Sequence, residues 1–433
     1  MKFMLLILFL NVIININHLM NRGIRMKAVG IITEYNPLHS GHIHHINMSK
    51  SLSEADVVVC VMSGDYVQRG EPAIIDKFSR ARMALESGVD LVVELPVEYC
   101  LSSAEGFAEG AVNVLNNLHV DSLCFGCEDA DASSMYDLAD ILLNETDDFK
   151  KCLTKHLNQG MSYAAARKEA VSQYTGGKYD KFISKSNNIL GIEYIKAVKK
   201  HNYDIKILPV NREGADYNDE VYSDLLNPSA TSIRTAILNE KLDEIALPAQ
   251  TREVISNSPA FPVFFDDFSN LLYYKLEQEL IGSCYNKEEF VKILSQYKDI
   301  STDMAGKIYN VYTKNSNEVC CPSLSAFAQK IKTKQYALSR IKRALLRIIL
   351  DLSSDVSPKS FIRILGFSGK GRKYLSYIKT MDENVPIITK VADYKELYYS
   401  QIHAHNVYRQ VCNAKFGVSP VRDYLFKPII IND

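Results

Sequence analysis

From residue 26 onward the chain alternates two kinds of hydrophobic pattern. Unbroken apolar runs rich in valine and isoleucine cover 28–33, 57–62, 89–95, 120–125 and 205–210. Short runs without polar alternation suit strands buried on both faces of a parallel sheet. Between them lie 42–53, 77–87 and 103–117, where apolar positions recur at helical spacing. Strand, helix and strand in repeated order predict βαβ units, and hence a Rossmann-like, doubly wound α/β domain over 26–240. Residues 132–200 break the alternation and are expected to form a polar, mostly helical insertion. Beyond residue 240 the strand signal nearly vanishes, with linker-like punctuation at Leu247-Pro-Ala-Gln and Ser258-Pro-Ala-Phe-Pro. Residues 241–433 are therefore expected to be a second, mostly α-helical domain, with one short strand at 385–391.

Ahead of this pattern, residues 1–25 read differently. Their apolar stretch is interrupted by Asn11 and Asn15 and has no small-x-small cleavage site. It is too short for a membrane span. Met26 directly precedes the first strand, so 1–25 are expected to be an extension outside the fold, with Met26 as the true start.

Composition narrows the class without naming a function. With 47% hydrophobic and 23% charged residues, the 433-residue chain is ordinary globular protein with room for two well-buried cores. A net charge of −1 gives no global attraction for a polyanion, so any such surface has to be local. Nine scattered cysteines fit a reduced, cytoplasmic protein rather than a disulfide scaffold. Cys124-Phe-Gly-Cys127 is a lone CxxC and reads as a strand end, and no metal site is expected. Neither a Walker A sequence nor GxGxxG occurs, which leaves P-loop and dinucleotide-redox chemistry unsupported.

The chemistry concentrates where the first apolar run turns through Glu34-Tyr-Asn-Pro37 into His39-Ser-Gly-His42-Ile-His-His45. A strand that turns into a helix start presents free N–H groups and a positive dipole end to an anion. Gly41 lets a ligand approach the backbone, and His39 and His42 can aim at the same anion. The plain alternative is an exposed, histidine-rich helix start. The motif resembles the HxGH signature of adenylyl-transferring Rossmann-like enzymes, in which two imidazoles stabilise charge on an α-phosphate.

Four further segments follow strands or open helices. They are Ser63-Gly-Asp-Tyr-Val-Gln-Arg-Gly-Glu-Pro72 with Lys77 beyond it, Phe125-Gly-Cys-Glu128, Asn187-Asn188, and Val210-Asn-Arg-Glu-Gly214. Ser229-Ala-Thr-Ser-Ile-Arg234 reads equally as a helix cap and as a second phosphate cradle. Lys77 and Arg234 are candidates for the pyrophosphate side. Near the C-terminus, no acidic residue occurs between Glu318 and Asp351, while Lys334, Arg340, Arg343 and Arg347 do. On a helical wheel Tyr336, Arg340, Arg343 and Arg347 oppose the apolar face. Lys370 and Arg372 lie in a second basic stretch. An arginine stripe with an aromatic suits phosphate contacts and base stacking, so these six residues and Lys334 are candidates for binding RNA.

Together these segments resemble the bacterial tRNA(Met) cytidine acetate ligase family over nearly all of 26–433. The resemblance implies that ATP and acetate give acetyl-adenylate, and that the wobble cytidine N4 of elongator tRNA(Met) then takes the acetyl group. It implies ATP binding on the turn formed by Ile32, Thr33, Glu34, Tyr35, Asn36, Pro37, Leu38, His39, Ser40, Gly41, His42, Ile43, His44 and His45. It adds Gly126, Asn187, Arg212 and Glu213, with Asn188 as the alternative to Asn187, and Mg²⁺ accompanying the triphosphate. Catalysis would rest on His39 and His42, in the cytoplasm and away from membranes. Two other readings stay open: a small-molecule adenylyltransferase of the nicotinamide- or pantetheine-phosphate type, and a non-catalytic RNA-binding nucleotide sensor.

Overall fold

The computed structural model describes residues 25–212, 229–315, 322–353, 360–381 and 385–432. The first apolar runs form β1 (Ala28–Thr33) and β2 (Val57–Ser63). A small hairpin of β3 (Tyr66–Val67) and β4 (Glu71–Pro72) follows, then β5 (Leu91–Leu95), β6 (Ser122–Cys127) and β7 (Lys206–Asn211). Helices α1 (Ser40–Ser53), α2 (Lys77–Glu86), α3 (Val97–Cys100) and α4 (Ala104–Asn117) connect them. The expected helical insertion comprises α5 (Ala132–Leu143), α6 (Asp147–Asn158), α7 (Tyr163–Thr175), α8 (Asp180–Ile183) and α9 (Ser186–Lys200).

The parallel strands run β5-β2-β1-β6-β7. The chain steps from β1 outward through β2 to β5, then returns to the other side of β1 for β6 and β7. A topological switch therefore lies between β1 and β6, where ligands of such sheets sit. Alternate side chains explain why both faces must be covered. Val57, Val59, Val61, Leu91 and Val93 pack with α4 and α9 on one face. Val58, Cys60, Met62 and Val92 pack with α1 and α2 on the other. Each such fully buried side chain contributes about 1.5–3 kcal/mol, which is why the runs carry no polar alternation.

The rest of the chain is mainly helical: α10 (Ala230–Leu238), α11 (Ala249–Ser256), α12 (Ser269–Gly282), α13 (Lys287–Leu294), α14 (Thr302–Asn315), α15 (Leu324–Ile331) and α16 (Leu338–Ile349). After these come β8 (Ile362–Phe367), α17 (Gly369–Ile378), β9 (Ile387–Ile388), α18 (Tyr399–Phe416) and β10 (Ile429–Ile430). Helices α12 to α16 and α18 share their own core, which Tyr66, Val97 and Leu101 join from the α/β part.

Of the strands described after residue 240, β9 falls in the expected 385–391 segment, while β10 and above all β8 were not expected. β8 pairs antiparallel with β5 and extends the central sheet, and β9 and β10 add to β8. Residue 240 is thus not a break in the sheet. The charge of Arg363 hides this strand in the sequence. Its fully buried guanidinium donates to the carbonyls of Ile388 (3.3 Å) and Thr389 (3.1 Å) and lies 3.6 Å from Asp423.

Candidate active site

A cleft of about 330 Å³ opens over the C-terminal ends of β1, β6 and β7. Its floor is the turn after β1. Tyr35 adopts φ 45°, a left-handed conformation uncommon for a bulky residue, and its ring packs edge-on to His42 at 4.9 Å. Three carbonyls of the turn and the β2 loop converge on buried Arg80, which donates to Glu34 (2.7 Å), Ser63 (3.0 Å) and Gly64. Asn36 ties the turn to the chain ahead of α2 by accepting from the Ile74 N–H at 2.9 Å. The backbone is held before any ligand arrives.

His39 is the N-cap of α1, in extended conformation, and its N–H donates to His42 Nδ1 at 3.2 Å. That bond makes Nδ1 an acceptor, so the ring proton of His42 sits on Nε2 and can be donated. The two rings lie 3.8 Å apart, centroid to centroid. His39 Nδ1 is buried and finds no partner among the described residues. An orphaned polar atom lining a cleft, at a helix start, marks a place for a polar ligand. Burial, reinforced by Arg212 and Arg234, holds the His39 pKa down to about 3. His42 is pushed well below its ordinary value by burial, His39 and Arg212. His45 falls to about 4, mainly through burial. The imidazoles are neutral donors, and the positive field comes from arginine.

Gly41 keeps this geometry in place. A Cβ there would lie 3.1 Å from His39 Cε1 and 3.2 Å from Nδ1. Gly126, at the end of β6, does the same for Arg212, whose Cγ would be 3.2 Å from an added Cβ. Arg234 extends from α10 and donates to the Asn36 carbonyl at 2.9 Å and to Thr231 Oγ1 at 3.3 Å. Ser229 is the N-cap of α10 and accepts from the Ser232 N–H, as the cap reading of that segment expects.

The start of α9 separates its two asparagines. Buried Asn188 accepts from the N–H groups of Glu128 (2.8 Å) and Asp129 (3.1 Å), a purely internal tie. Asn187 lines the cleft and donates to Glu128 Oε1 at 2.8 Å.

Of the sequence candidates, Ile32, Thr33, Glu34, Tyr35, Asn36, His39, Gly41, His42, His44, His45, Gly126, Asn187, Arg212 and Arg234 line the cleft. Pro37, Leu38, Ser40 and Ile43 shape the turn without lining it; Leu38 is buried in the core. Glu213 lies outside the described residues. The sequence reading left Gln68, Arg69, Phe107, Phe125, Leu190, Tyr194 and Asn211 unassigned, though all line the cleft. Gln68 and Arg69 stood in a loop already singled out. Only the fold shows that this loop returns to β1.

Two groups need correction. Lys77 does not face the cleft. It is fully buried 2.9 Å from Glu94, 2.7 Å from Asp423 and 3.3 Å from the Tyr398 hydroxyl. An amine taken out of water requires such partners, and two of them, Tyr398 and Asp423, lie over 300 residues away, beyond the reach of local reading. The proposed arginine stripe is likewise largely internal. Arg347 donates to the carbonyls of Leu101 and Glu98, both at 2.9 Å. Arg343 is buried and donates to the Gln68 carbonyl at 3.3 Å. Arg340 donates to the Asp299 carbonyl at 3.1 Å and stands over the Tyr336 ring. Tyr336 itself is buried, its hydroxyl against Ser301 and Asp303. Lys334, Lys370 and Arg372 remain exposed.

The last two sit at the far end of the sheet. Ser368, the cap of α17, bonds Asp90 just before β5, and Phe367 pairs with Leu91. The cleft is at the other ends of the strands, roughly 15–20 Å away at about 3.3 Å per residue.

Comparison with known proteins places these features in context. A family model described as HIGH Nucleotidyl Transferase matches residues 26–419. The tRNA(Met) cytidine acetate ligase of Clostridium acetobutylicum is 38% identical over 94% of this chain and 100% of its own length. The protein of the same name from Caldanaerobacter subterraneus subsp. tengcongensis is 39% identical with the same coverage. A crystal structure of Thermotoga maritima TmcAL bound with alpha-thio ATP superposes with a TM-score of 0.81 at 29% identity, covering 94% of this chain and 100% of that one. The apo form gives 0.82.

Proposed function

The chain belongs to the HIGH nucleotidyl transferase family and, within it, to the tRNA(Met) cytidine acetate ligases, and from that premise we propose that it acetylates the wobble cytidine of elongator tRNA(Met) with ATP and acetate. The carrying observation is the pair of neutral imidazoles, His39 and His42, at a helix start in a cleft that also holds Arg212 and Arg234. In the first step an acetate oxygen attacks the α-phosphorus of ATP. The bond to pyrophosphate breaks and acetyl-adenylate forms. In the second, cytidine N4 attacks the acetyl carbonyl, AMP departs and the amine loses a proton.

His39 and His42 donate hydrogen bonds to the α-phosphate as charge builds on it, and Arg234 faces the departing pyrophosphate. The adenosine lies toward β6 and β7, where Gly126 permits close approach and Asn187 and Arg212 are at hand; the family resemblance adds Glu213. Mg²⁺ would be held by the triphosphate oxygens and water, as this cation commonly is, and would offset their charge. Residues 26–240 carry the chemistry, and the helical half from 241 onward, through Lys334, Lys370 and Arg372 among others, offers positive charge to the tRNA. Among the described residues no helix is long and apolar enough to cross a membrane. ATP and tRNA as substrates put the enzyme in the cytoplasm.

The test is to incubate purified protein with ATP, acetate and unmodified bulk tRNA, and to analyse the nucleosides by mass spectrometry. N4-acetylcytidine that requires both ATP and acetate is the expected product. Its absence, or pyrophosphate release indifferent to acetate, would overturn the reading.

A further inference from the structure

The cleft has two unlike ends. Toward β6 and β7 it is lined by Phe125, Gly126, Asn187 and Arg212; toward β2 it is closed by Glu34, Gln68 and Arg69. The second end is built on the tip of the β3–β4 hairpin, and that tip is clamped from several sides. The Gln68 N–H donates to Glu34 Oε1 at 2.7 Å, and the Gln68 side chain to the Ser102 carbonyl at 3.2 Å. From α16, Arg343 reaches the Gln68 carbonyl at 3.3 Å and Lys342 pairs with Glu71 at 2.5 Å. Gly70, at φ 78°, fits so closely under α16 that a Cβ would lie 2.5 Å from the Arg343 nitrogen. An exposed two-residue hairpin is normally loose. This one is fixed, and the side chain it carries into the cleft is Arg69.

We propose that the β2 end of the cleft is the binding site for the small carboxylic acid, with Arg69 engaging its carboxylate and Ala104 and Phe107 facing its alkyl group. The proposal rests on the ligase reading above. Three arginines line the cleft, and two of them, Arg212 and Arg234, lie against the histidine turn and β7. Arg69 comes instead from the β3–β4 hairpin tip beside Glu34, and guanidinium is the side chain best matched to a carboxylate. Ala104 and Phe107 open α4 right after Ser102, which the Gln68 side chain grips, so an apolar patch adjoins the arginine. An acid held there has the histidine pair between itself and the adenosine end, on the path an attack on the α-phosphorus would take. Glu34 also faces Arg69. Burial pushes its carboxyl pKa up, against the pull of the Gln68 N–H and of Arg69, Arg234 and Arg80.

The test is acetate-dependent exchange of pyrophosphate into ATP, without tRNA, on the full-length enzyme. Arg69→Gln should raise the KM for acetate by about 100-fold and leave the KM for ATP within about twofold, with Arg69→Lys recovering part of the loss. Phe107→Leu should shift the acid preference toward propionate by several fold in kcat/KM relative to acetate. An ATP KM that rises with that for acetate, or unchanged constants for both in Arg69→Gln, overturns the subsite while the ligase reading stands. Wild-type exchange that needs no acetate overturns the ligase reading itself.

Discussion

Two regions of this chain look alike in sequence and end up in opposite roles. The histidine turn at 39–45 and the arginine stripe at 336–347 each place ligand-type side chains on one face of a helix. In the fold, the histidines line a cleft, and His39 Nδ1 and His45 Nε2 have no partner among the described residues. The arginines are turned inward and spend their donors on carbonyls of residues 68, 98, 101 and 299. A guanidinium serves a backbone carbonyl as readily as a phosphate. Helical spacing says which residues share a face, and nothing about what covers it. The histidine turn escapes this ambiguity because it ends a central strand at a switch point, where the architecture leaves space.

The sharpest break between the regions should come from truncating each. Changing His39 or His42 to Ala is expected to lower acetate-dependent pyrophosphate exchange by about 100- to 1,000-fold while the protein stays folded. Exchange near the wild-type rate would remove both histidines from the chemistry. Arg347→Met should instead cost about 2–4 kcal/mol of stability in urea unfolding, because two buried carbonyls lose their donor. A stable Arg347→Met protein with weakened tRNA binding would restore the RNA-contact role that the structure denies it.

Acid sensitivity separates the regions next. His39 and His45 are held at about 3 and about 4 in the fold, below the ordinary value of about 6.5 for the unfolded chain. The folded state therefore binds fewer protons than the unfolded one in that window. Stability is complete above about pH 6.5 and falls as the pH drops toward 4, by up to about 1.4 kcal/mol per pH unit for each histidine. The His39→Gln variant should show a shallower fall than wild type, measured by urea unfolding at pH 7 and pH 5. Equal slopes would mean that His39 is not held neutral.

Gly41→Ala is a smaller perturbation of the same site. A methyl group 3.1 Å from the His39 ring should tilt it and reduce exchange about tenfold, with ATP binding less affected. The smallest effect belongs to the far end of the sheet. Lys370→Ala with Arg372→Ala should leave stability and exchange unchanged and weaken tRNA binding a few fold, lowering the salt slope by up to about 2. A larger loss in exchange than in tRNA affinity would link that end to the cleft in a way the fold does not suggest.

How much of this was legible depends on the kind of signal. The strands at the centre of the sheet were readable because burial on both faces demands unbroken apolar runs. β8 was not, since Arg363 breaks the pattern and is neutralised by groups remote in sequence. The histidine turn was readable because its residues are contiguous. Gln68 and Arg69 were visible as a polar loop, but their place in the wall of the same cleft was not.

The sequence by itself determined the α/β core, the turn after its first strand and the histidine pair that turn carries. These depend on local propensity, periodicity and contiguous side chains. The tertiary structure decided which charges are free. Lys77, Arg343, Arg347 and Arg363 lie buried against partners that the chain brings from far away, and desolvation obliges each to be paired. It also decided that a hairpin tip clamped by a distant helix should close the cleft with Arg69. Pairing between remote segments is a property of the packed molecule, and no pattern along the chain records it.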